Sequence, residues 1–223
     1  MSFSAVIVAA GSSRRAGFDK LAALLDGVPV LRRSVDAFVQ AGAAAVIVVC
    51  PPARWEETGL SAASFPVPVS RADGGAERQD SVAAGLAALP PDTALVAVHD
   101  GARPLITPEG IRACVAAAAE SGAAACAHPV VDTLKRADAS AHTLPEKVSR
   151  DGLWGMETPQ IFDVALLRRA YAHVKEQGLV VTDEVSAVES VGVPTVLVQV
   201  GANMKITLPG DLELAELIWK HRA

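Results

Sequence analysis

Basic side chains follow the first apolar segment of the chain. The stretch VIVAAGSSRRAGFDK carries Arg14, Arg15 and Lys20 after a Gly-Ser-Ser turn. Backbone N–H groups of such a turn, together with guanidinium and ammonium groups, suit the binding of a triphosphate. These groups can neutralise the charge of the triphosphate and hold its reacting phosphorus in line with the attacking group. It is not a Walker A loop, because no Gly-Lys-Ser/Thr follows, and the Gly-x-Gly-x-x-Gly of dinucleotide-binding proteins is absent. The alternative is a solvated surface loop without a function.

Two further motifs combine glycines with polar side chains. In GGAERQDSV, Gly74 and Gly75 permit close approach of the backbone to a flat base, and Ser81 can offer a hydroxyl in the first helical turn. In VHDGARP, Asp100 ends an apolar run, where its carboxylate can hold Mg²⁺, and Gly101 allows a sharp turn. The alternatives are a glycine-rich turn before an ordinary helix cap and a simple Asp-Gly turn.

Hydroxyls and cations recur in the second half of the chain. A hydroxyl beside a guanidinium is a standard phosphate receptor. Lys205 follows the last apolar run, and Thr182 can cap a helix whose dipole favours the acids that come next. The alternatives are an exposed lysine and charges that only keep a surface segment soluble. His99 is expected to pack or bond locally and not to act as a base. The remaining candidates are Arg103, Thr133, Lys135, Arg136, Arg150 and Thr158.

Short, continuous apolar runs alternate with helical segments along the chain. The runs predict strands buried on both faces of a parallel sheet, and the alternation predicts a doubly wound α/β fold. Such a sheet binds ligands beyond the carboxyl ends of its strands. The predicted strands are 4–9, 45–49, 67–70, 95–99, 123–127 and 195–200, and the predicted helices are 29–40, 77–89, 108–121, 164–176, 183–191 and a last helix from Pro209.

One stretch interrupts this alternation. Residues 129–160 have strand-like pieces on either side of a polar middle, which predicts a hairpin-like β-arm projecting from the sheet. The chain shows no internal repeat and no low-complexity linker. We therefore expect a single domain over residues 1–223 with an arm at about 129–160.

Composition excludes several classes of protein. The 223 residues include 20 basic and 25 acidic side chains, a net charge of −5 that disfavours nucleic acid as a partner. No apolar run approaches the roughly 18–20 residues of a membrane-spanning helix, and the amino-terminal basic pair follows its apolar run, unlike a secretory signal. The odd number of cysteines, without metal-ligand spacing, indicates free thiols in a reducing, cytoplasmic setting. These cysteines are Cys50, Cys114 and Cys126.

Seven motifs in order extend over nearly the whole chain. They are AAGSSRR with its later lysine, GGAERQDSV, VHDGARP, DTLKR, RDGLWGMETPQIF, TDEVSAVE and NMKITLPGDL. In this order they resemble the 2-C-methyl-D-erythritol 4-phosphate cytidylyltransferase family, within the sugar-nucleotide pyrophosphorylase-like nucleotidyltransferases. Three positions depart from the family pattern. Asp19 precedes Lys20 where the family usually has proline, Ala76 follows the glycines where Asp is common, and Ala202 stands where an acid is common.

The resemblance implies an activity and a set of site residues. The activity is transfer of CMP from CTP to methylerythritol phosphate in the non-mevalonate isoprenoid pathway, with Mg²⁺ at Asp100 and a homodimer in which one subunit's arm reaches the other's site. Catalysis is implied for Arg15, Lys20 and Lys205. CTP binding is implied for Ala10, Gly11, Ser12, Gly75, Ala76, Ser81, Asp100 and Gly101, and substrate binding for Arg103, Thr133, Arg150, Thr158 and Thr182.

Three other interpretations are weighed against this one. A cytidylyltransferase for another polyol phosphate, such as ribitol 5-phosphate, would share the CTP loops and differ in the arm. A nucleotide-binding regulatory module without activity is a second alternative, which the retained Arg15, Lys20 and Lys205 disfavour. An NAD-dependent oxidoreductase is the third, and the missing glycine fingerprint argues against it.

Overall fold

The structure is a computed structural model that describes residues 2–11, 18–136 and 146–222. Its strands are β1 (Phe3–Val8), β2 (Leu24–Leu25), β3 (Val28–Pro29), β4 (Val46–Val49), β5 (Val69–Ala72), β6 (Leu95–Asp100), β7 (Ala123–Pro129), β8 (Leu134–Arg136), β9 (Glu146–Val148), β10 (Trp154–Asp163) and β11 (Val196–Val198). Its helices are α1 (Val30–Ala41), α2 (Pro52–Glu57), α3 (Arg78–Ala87), α4 (Pro108–Ser121), α5 (Val164–Glu176), α6 (Glu184–Glu189) and α7 (Pro209–Lys220).

A seven-stranded sheet in the order β11-β7-β10-β6-β1-β4-β5 forms the centre of the molecule. Its strands run parallel except β10, which pairs antiparallel with both β6 and β7. The predicted doubly wound, mostly parallel α/β fold is confirmed. In such a sheet the carboxyl ends of β1, β4, β5, β6, β7 and β11 lie along one edge, and the loops that follow them meet there.

Hydrophobic cores lie on both faces of the sheet, as a doubly wound fold requires. One core includes Ile7 of β1 and Phe38 of α1, and the other includes Val6 of β1 and Leu167 of α5. Neighbouring strand residues point to opposite faces, so β1 contributes to both cores. All four of these side chains have no exposed surface.

Helix ends follow local sequence signals. Thr107 accepts a hydrogen bond from the Gly110 N–H and Pro108 occupies the first turn of α4, so this helix begins where the sequence predicts. Gly122 ends α4 in the left-handed conformation with φ 80°, which glycine adopts without steric cost. These signals set the bounds of the helix that connects β6 to β7.

The predicted arm is shorter than expected. Residues 154–163 form the internal strand β10 of the sheet, and among the described residues the two-stranded ribbon contains β8 and β9 alone. Pro159 interrupts the pattern of WGMETPQIF, and proline ordinarily argues against a central strand. The pairing of β10 with β7 shifts register between Met156 and Gln160, an irregularity that accommodates this segment in the sheet. The helix α2 was not predicted, because six residues after Pro51 carry too little periodicity.

Two further features concern the cysteines and the helices. Cys50, Cys114 and Cys126 are buried free thiols. Burial raises the pKa of Cys50 to about 11, which keeps this thiol protonated near neutral pH. Within the described ranges, no helix has the length and apolar character to cross a membrane.

Candidate active site

The loops after β1 and β5 meet in close contact at the carboxyl edge of the sheet. A Cβ added to Gly74 would lie 2.5 Å from the Cβ of Ala10, so only glycine lets the two loops approach this far. Ala10 is half-buried, and Gly11, Gly75 and Ala76 are exposed. The structure therefore brings together the described parts of both predicted CTP loops.

The first loop is described only at its ends. Ser12, Arg14 and Arg15 lie outside the described residues. Lys20 is half-buried, and its Nζ donates a hydrogen bond of 2.8 Å to the carbonyl of Ile206. The neighbour of Ile206 is Lys205, so the predicted lysines approach each other from segments far apart in the sequence.

Asp100, at the end of β6, lies between two cations. Its Oδ2 is 2.7 Å from the Nζ of Lys205, and its Oδ1 is 3.3 Å from the Nη2 of Arg78. Burial alone would raise the pKa of this carboxyl, but the charges of Arg78 and Lys205 outweigh burial and hold the pKa well below its usual range. Asp100 is therefore ionised near neutral pH. Gly101 follows it directly, and a Cβ there would lie 2.7 Å from Leu31.

A chain of hydrogen bonds fixes the backbone of Asp100. The N–H of Asp100 donates to the Thr158 hydroxyl at 3.0 Å. This hydroxyl lies 3.1 Å from Nδ1 of His99, and Nε2 of the same ring lies 3.2 Å from the carbonyl of Arg103. A carbonyl only accepts, so Nε2 carries the proton and Nδ1 accepts from Thr158. Burial lowers the pKa of His99 to about 4, which keeps the ring neutral, as expected of a histidine that is not a base.

Thr158 was predicted to bind the substrate, and in the structure its hydroxyl makes two hydrogen bonds inside the protein. The residue is only 4% exposed, and the backbone of Asp100 is one of its partners. The described contacts of Thr158 therefore fix the backbone of Asp100, and its contact with the substrate stays a prediction.

Arg103 and Asn203 hold the segment that leads to Lys205. Arg103 donates from Nη1 to the carbonyl of Asn203 at 2.8 Å. The Asn203 amide donates to Oε2 of Glu157 at 2.9 Å and to the Thr158 carbonyl at 2.8 Å. Burial lowers the pKa of Arg103. These bonds fix the backbone two residues before Lys205.

Arg78 links Asp100 to a buried acid that sequence reasoning did not select. Its Nη1 and Nη2 lie 2.6 and 3.0 Å from the two carboxylate oxygens of Glu184, which has no exposed surface. Tyr171 donates to the same carboxylate at 2.9 Å, and Gln160 accepts from the Glu184 N–H. Because Arg78 and Glu184 are 106 positions apart, no local sequence signal could have found the pair.

Ser81 orders the glycine turn from below. Its hydroxyl accepts from the N–H of Gly75 at 3.2 Å and donates to the carbonyl of Glu77 at 3.3 Å. Ser81 is 2% exposed. The buried Ser81 therefore fixes the backbone N–H of Gly75, an exposed residue just before α3.

The residues predicted for the second substrate lie in two places. Thr133 and Arg150 belong to the segments flanking the β8–β9 ribbon and are exposed, and Arg150 donates to the carbonyl of Val131. Thr182 is exposed just before α6. The prediction that Thr182 caps this helix was wrong, because Asp183 is the cap and accepts from the Ser186 N–H at 3.0 Å. The hydroxyl of Thr182 is thus not used for capping.

Asp100 fits a magnesium ion that is shared with a nucleotide. In the part of the chain that the structure describes, no group of three or more His, Cys, Asp or Glu side chains could hold a metal by itself. Mg²⁺ is usually bound through one or two carboxylates together with phosphate oxygens and water, so a single ionised carboxylate at the strand edge suffices. Asp100 provides it.

A mostly parallel sheet with cations and one carboxylate at its carboxyl edge is suited to bind a nucleotide there. Comparison with known families is more specific: residues 3–221 match the family described as "IspD: 2-C-methyl-D-erythritol 4-phosphate cytidylyltransferase". The chain belongs to this family and is a cytidylyltransferase of the non-mevalonate isoprenoid pathway.

Individual relatives agree with the family match. The chain is 39% identical over 224 residues to the 2-C-methyl-D-erythritol 4-phosphate cytidylyltransferase of Halalkalibacterium halodurans, covering 98% of this chain and 97% of that protein. The crystal structure of the enzyme of the same name from Thermus thermophilus is similar with a TM-score of 0.81, 35% identity and coverage of 99% and 100%. The 4-diphosphocytidyl-2C-methyl-D-erythritol synthase of Anaerococcus prevotii gives a TM-score of 0.85 at 26% identity, with 98% of each chain covered.

Proposed function

We propose that this chain transfers CMP from CTP to 2-C-methyl-D-erythritol 4-phosphate with Lys20, Lys205 and Asp100 at the reacting centre. The products are 4-diphosphocytidyl-2-C-methyl-D-erythritol and pyrophosphate. The observation that carries this assignment is the convergence at one sheet edge: Lys205 contacts Asp100 at 2.7 Å, and Lys20 donates to the residue next to Lys205. Within the family shown by the comparisons, this cluster is the place we assign to the α-phosphate.

The reaction needs alignment and charge stabilisation more than proton transfer. A phosphate oxygen of the second substrate attacks the α-phosphorus of CTP, and pyrophosphate leaves. The attacking oxygen is already anionic near pH 7, so no general base is required, and the neutral His99 is occupied by hydrogen bonds. Lys20 and Lys205 stabilise the negative charge of the crowded transition state, and Arg15 joins them by resemblance to the family.

Mg²⁺ bound together with CTP would supply positive charge that neutralises the phosphate oxygens. Asp100 is the residue that would hold it, because its carboxylate is ionised and ends β6 at the carboxyl edge. The Thr158 hydroxyl fixes the backbone of Asp100 by accepting from its N–H, and Arg78 donates to the carboxylate itself. The role of Thr158 and Arg78 here is to position Asp100.

The nucleotide and the sugar phosphate are assigned to different groups of residues. We assign the cytosine and ribose to the backbone around the first loop and the glycine turn, with Ser81 fixing the turn. The sugar phosphate is assigned to hydroxyls and guanidinium groups of the second half, and Arg103 acts through the Asn203 backbone. The nucleotide set is Ala10, Gly11, Ser12, Gly75, Ala76 and Gly101, and the second set is Thr133, Arg150 and Thr182.

A test of substrate identity is a pyrophosphate-release assay with a panel of nucleotides and polyol phosphates. We expect release with CTP and methylerythritol phosphate in the presence of a divalent metal, and little with ATP, because a purine would clash with the glycine turn that reads cytosine. A preference for ribitol 5-phosphate would favour the other cytidylyltransferase interpretation. No release with any nucleotide would favour the regulatory module.

We further propose that the enzyme is a homodimer formed through the ribbon. Exposed apolar residues in the segments that flank the ribbon support this: Val131 is 75% exposed, Leu153 is 38% exposed and Trp154 is 37% exposed. Large exposed apolar groups favour association with another chain. Arg150, which donates a hydrogen bond to the carbonyl of Val131, would then be close to the partner's site.

Subunit mixing tests whether the site is shared. Arg150→Ala is expected to weaken binding of the sugar phosphate with little change in CTP binding. Mixing it with Lys20→Ala should restore part of the activity, because one of the two mixed sites then contains both intact residues. No recovery after demonstrated subunit exchange would mean that each site is built from one chain.

We also place the enzyme in the cytoplasm. The cysteines are buried and unpaired, a state that persists in reducing compartments. The small, charged substrates proposed here are likewise soluble in water.

A further inference from the structure

One arginine joins both described ends of the first loop. Arg54 lies in α2 and is only 8% exposed. Its Nη1 donates to the carbonyls of Ala9 at 2.5 Å and Gly11 at 3.0 Å, and its Nη2 lies 3.1 Å from Oδ2 of Asp19. A single guanidinium therefore connects the point where the chain leaves β1 to the point where it returns before Lys20.

The ion pair between Arg54 and Asp19 is poorly explained as a contribution to the free energy of unfolding. Removing a guanidinium from water costs free energy that must be recovered from its partners, and a buried ion pair is weak support for stability. The Nε of Arg54 is buried with no hydrogen-bond partner among the described residues, so this recovery is incomplete. A planar, five-donor group is well suited, however, to fixing several acceptors relative to one another.

Asp19 passes this constraint on to Lys20. Its Oδ1 accepts from the N–H of Leu21 at 3.0 Å and its carbonyl accepts from the N–H of Ala23 at 3.0 Å, which closes a turn around the lysine. The Nζ of Lys20 then reaches the Ile206 carbonyl beside Lys205. A shift of Asp19 would therefore also shift the backbone of Lys20 and the position of its side chain.

We propose that Arg54 and Asp19 are positioning residues that hold Lys20 at the α-phosphate of CTP. The proposal rests on the role of Lys20 in the proposed function. It also accounts for a departure in the sequence: where the family usually has a proline with a fixed φ, this chain has an aspartate, and an ion pair to α2 supplies the restraint.

Asp19→Asn is the sharpest test, because it removes the charge, retains an oxygen for the Leu21 N–H and affects a side chain that is 35% exposed. We expect kcat to fall about tenfold while KM for methylerythritol phosphate stays within about twofold, since misplacement of a catalytic group by about 1 Å can cost 10²-fold. The matched control is Asp36→Asn, which breaks the ion pair of Arg32 on α1 at a side-chain exposure of 30%. It should leave kcat unchanged.

A double-mutant cycle separates positioning from general damage. Arg54→Gln should lower kcat at least as far as Asp19→Asn, the double variant should be no worse than Arg54→Gln, and Arg54→Lys should recover part of kcat. Urea midpoints measured in parallel show whether each variant folds. A kcat of Asp19→Asn within about twofold of the wild type, or multiplying losses in the double variant, would overturn the proposal. A wild-type enzyme without CTP-dependent activity would instead overturn the proposed function.

Discussion

Replacing Lys205 by alanine is expected to lower kcat by about 10²–10³-fold, because loss of one preorganised donor to a developing charge costs roughly 3–4 kcal/mol of transition-state stabilisation. The ammonium group of Lys205 is held 2.7 Å from Asp100 and is 39% exposed, so it is both oriented and open to a ligand. Lys20→Ala should have an effect of the same size. Steady-state pyrophosphate release at saturating CTP measures kcat, and calorimetry measures CTP affinity.

The two measurements distinguish a catalytic role from simple nucleotide binding. A lysine that acts mainly in the transition state changes kcat far more than the dissociation constant of CTP. Lys175→Ala removes an exposed lysine in the last turn of α5 and serves as the control, with kcat expected at the wild-type level. A Lys205→Ala enzyme with kcat within about threefold of the wild type would remove this residue from the reacting centre.

The strands of the sheet were predictable because their sequences are typical of buried parallel strands. Runs such as AVI in β1 and VIVV in β4 are continuous and apolar, and the structure buries them on both faces. The strand β10 was missed because many of its residues are polar and it includes Pro159. Its strand conformation depends on the two neighbours that enclose it, β6 and β7, and these come from other parts of the sequence.

Site residues could be predicted where a charged side chain directly follows a predicted strand. They could not be predicted where the residue acts through a hydrogen-bond partner that is distant in the sequence. Asp100 and Lys205 could be selected because each ends or follows an apolar run. The partners that orient this region could not be recognised as such, because Thr158, Glu184 and Arg54 find these contacts only after folding. Sequence patterns therefore indicated the groups proposed to meet the substrates, whereas the contacts that position these groups required the structure.

Glu184 illustrates how much such a hidden partner can matter. Its carboxylate is fully buried, and both of its oxygens are paired with Arg78, which is 29% exposed and also contacts Asp100. Burial alone would lower the pKa of Arg78, but the charges of Glu184 and Asp100 raise it. The pair joins the start of α3, after the glycine turn, to the start of α6, after Thr182. Its loss would disturb both proposed substrate regions at once.

Arg78→Ala is expected to reduce the free energy of unfolding by about 3–5 kcal/mol, because it leaves the buried carboxylate of Glu184 without its countercharge. Combining it with Glu184→Gln should recover part of this loss, since the double variant no longer buries an unpaired charge, and the amide oxygen can still accept from Tyr171. Urea denaturation at neutral pH measures both values. The control is Arg112→Ala, whose partner Glu109 is 75% exposed and whose loss should cost less than about 1 kcal/mol. A double variant less stable than Arg78→Ala alone would show that the cost does not come from the unpaired carboxylate, and lost packing around Arg78 would then be the explanation.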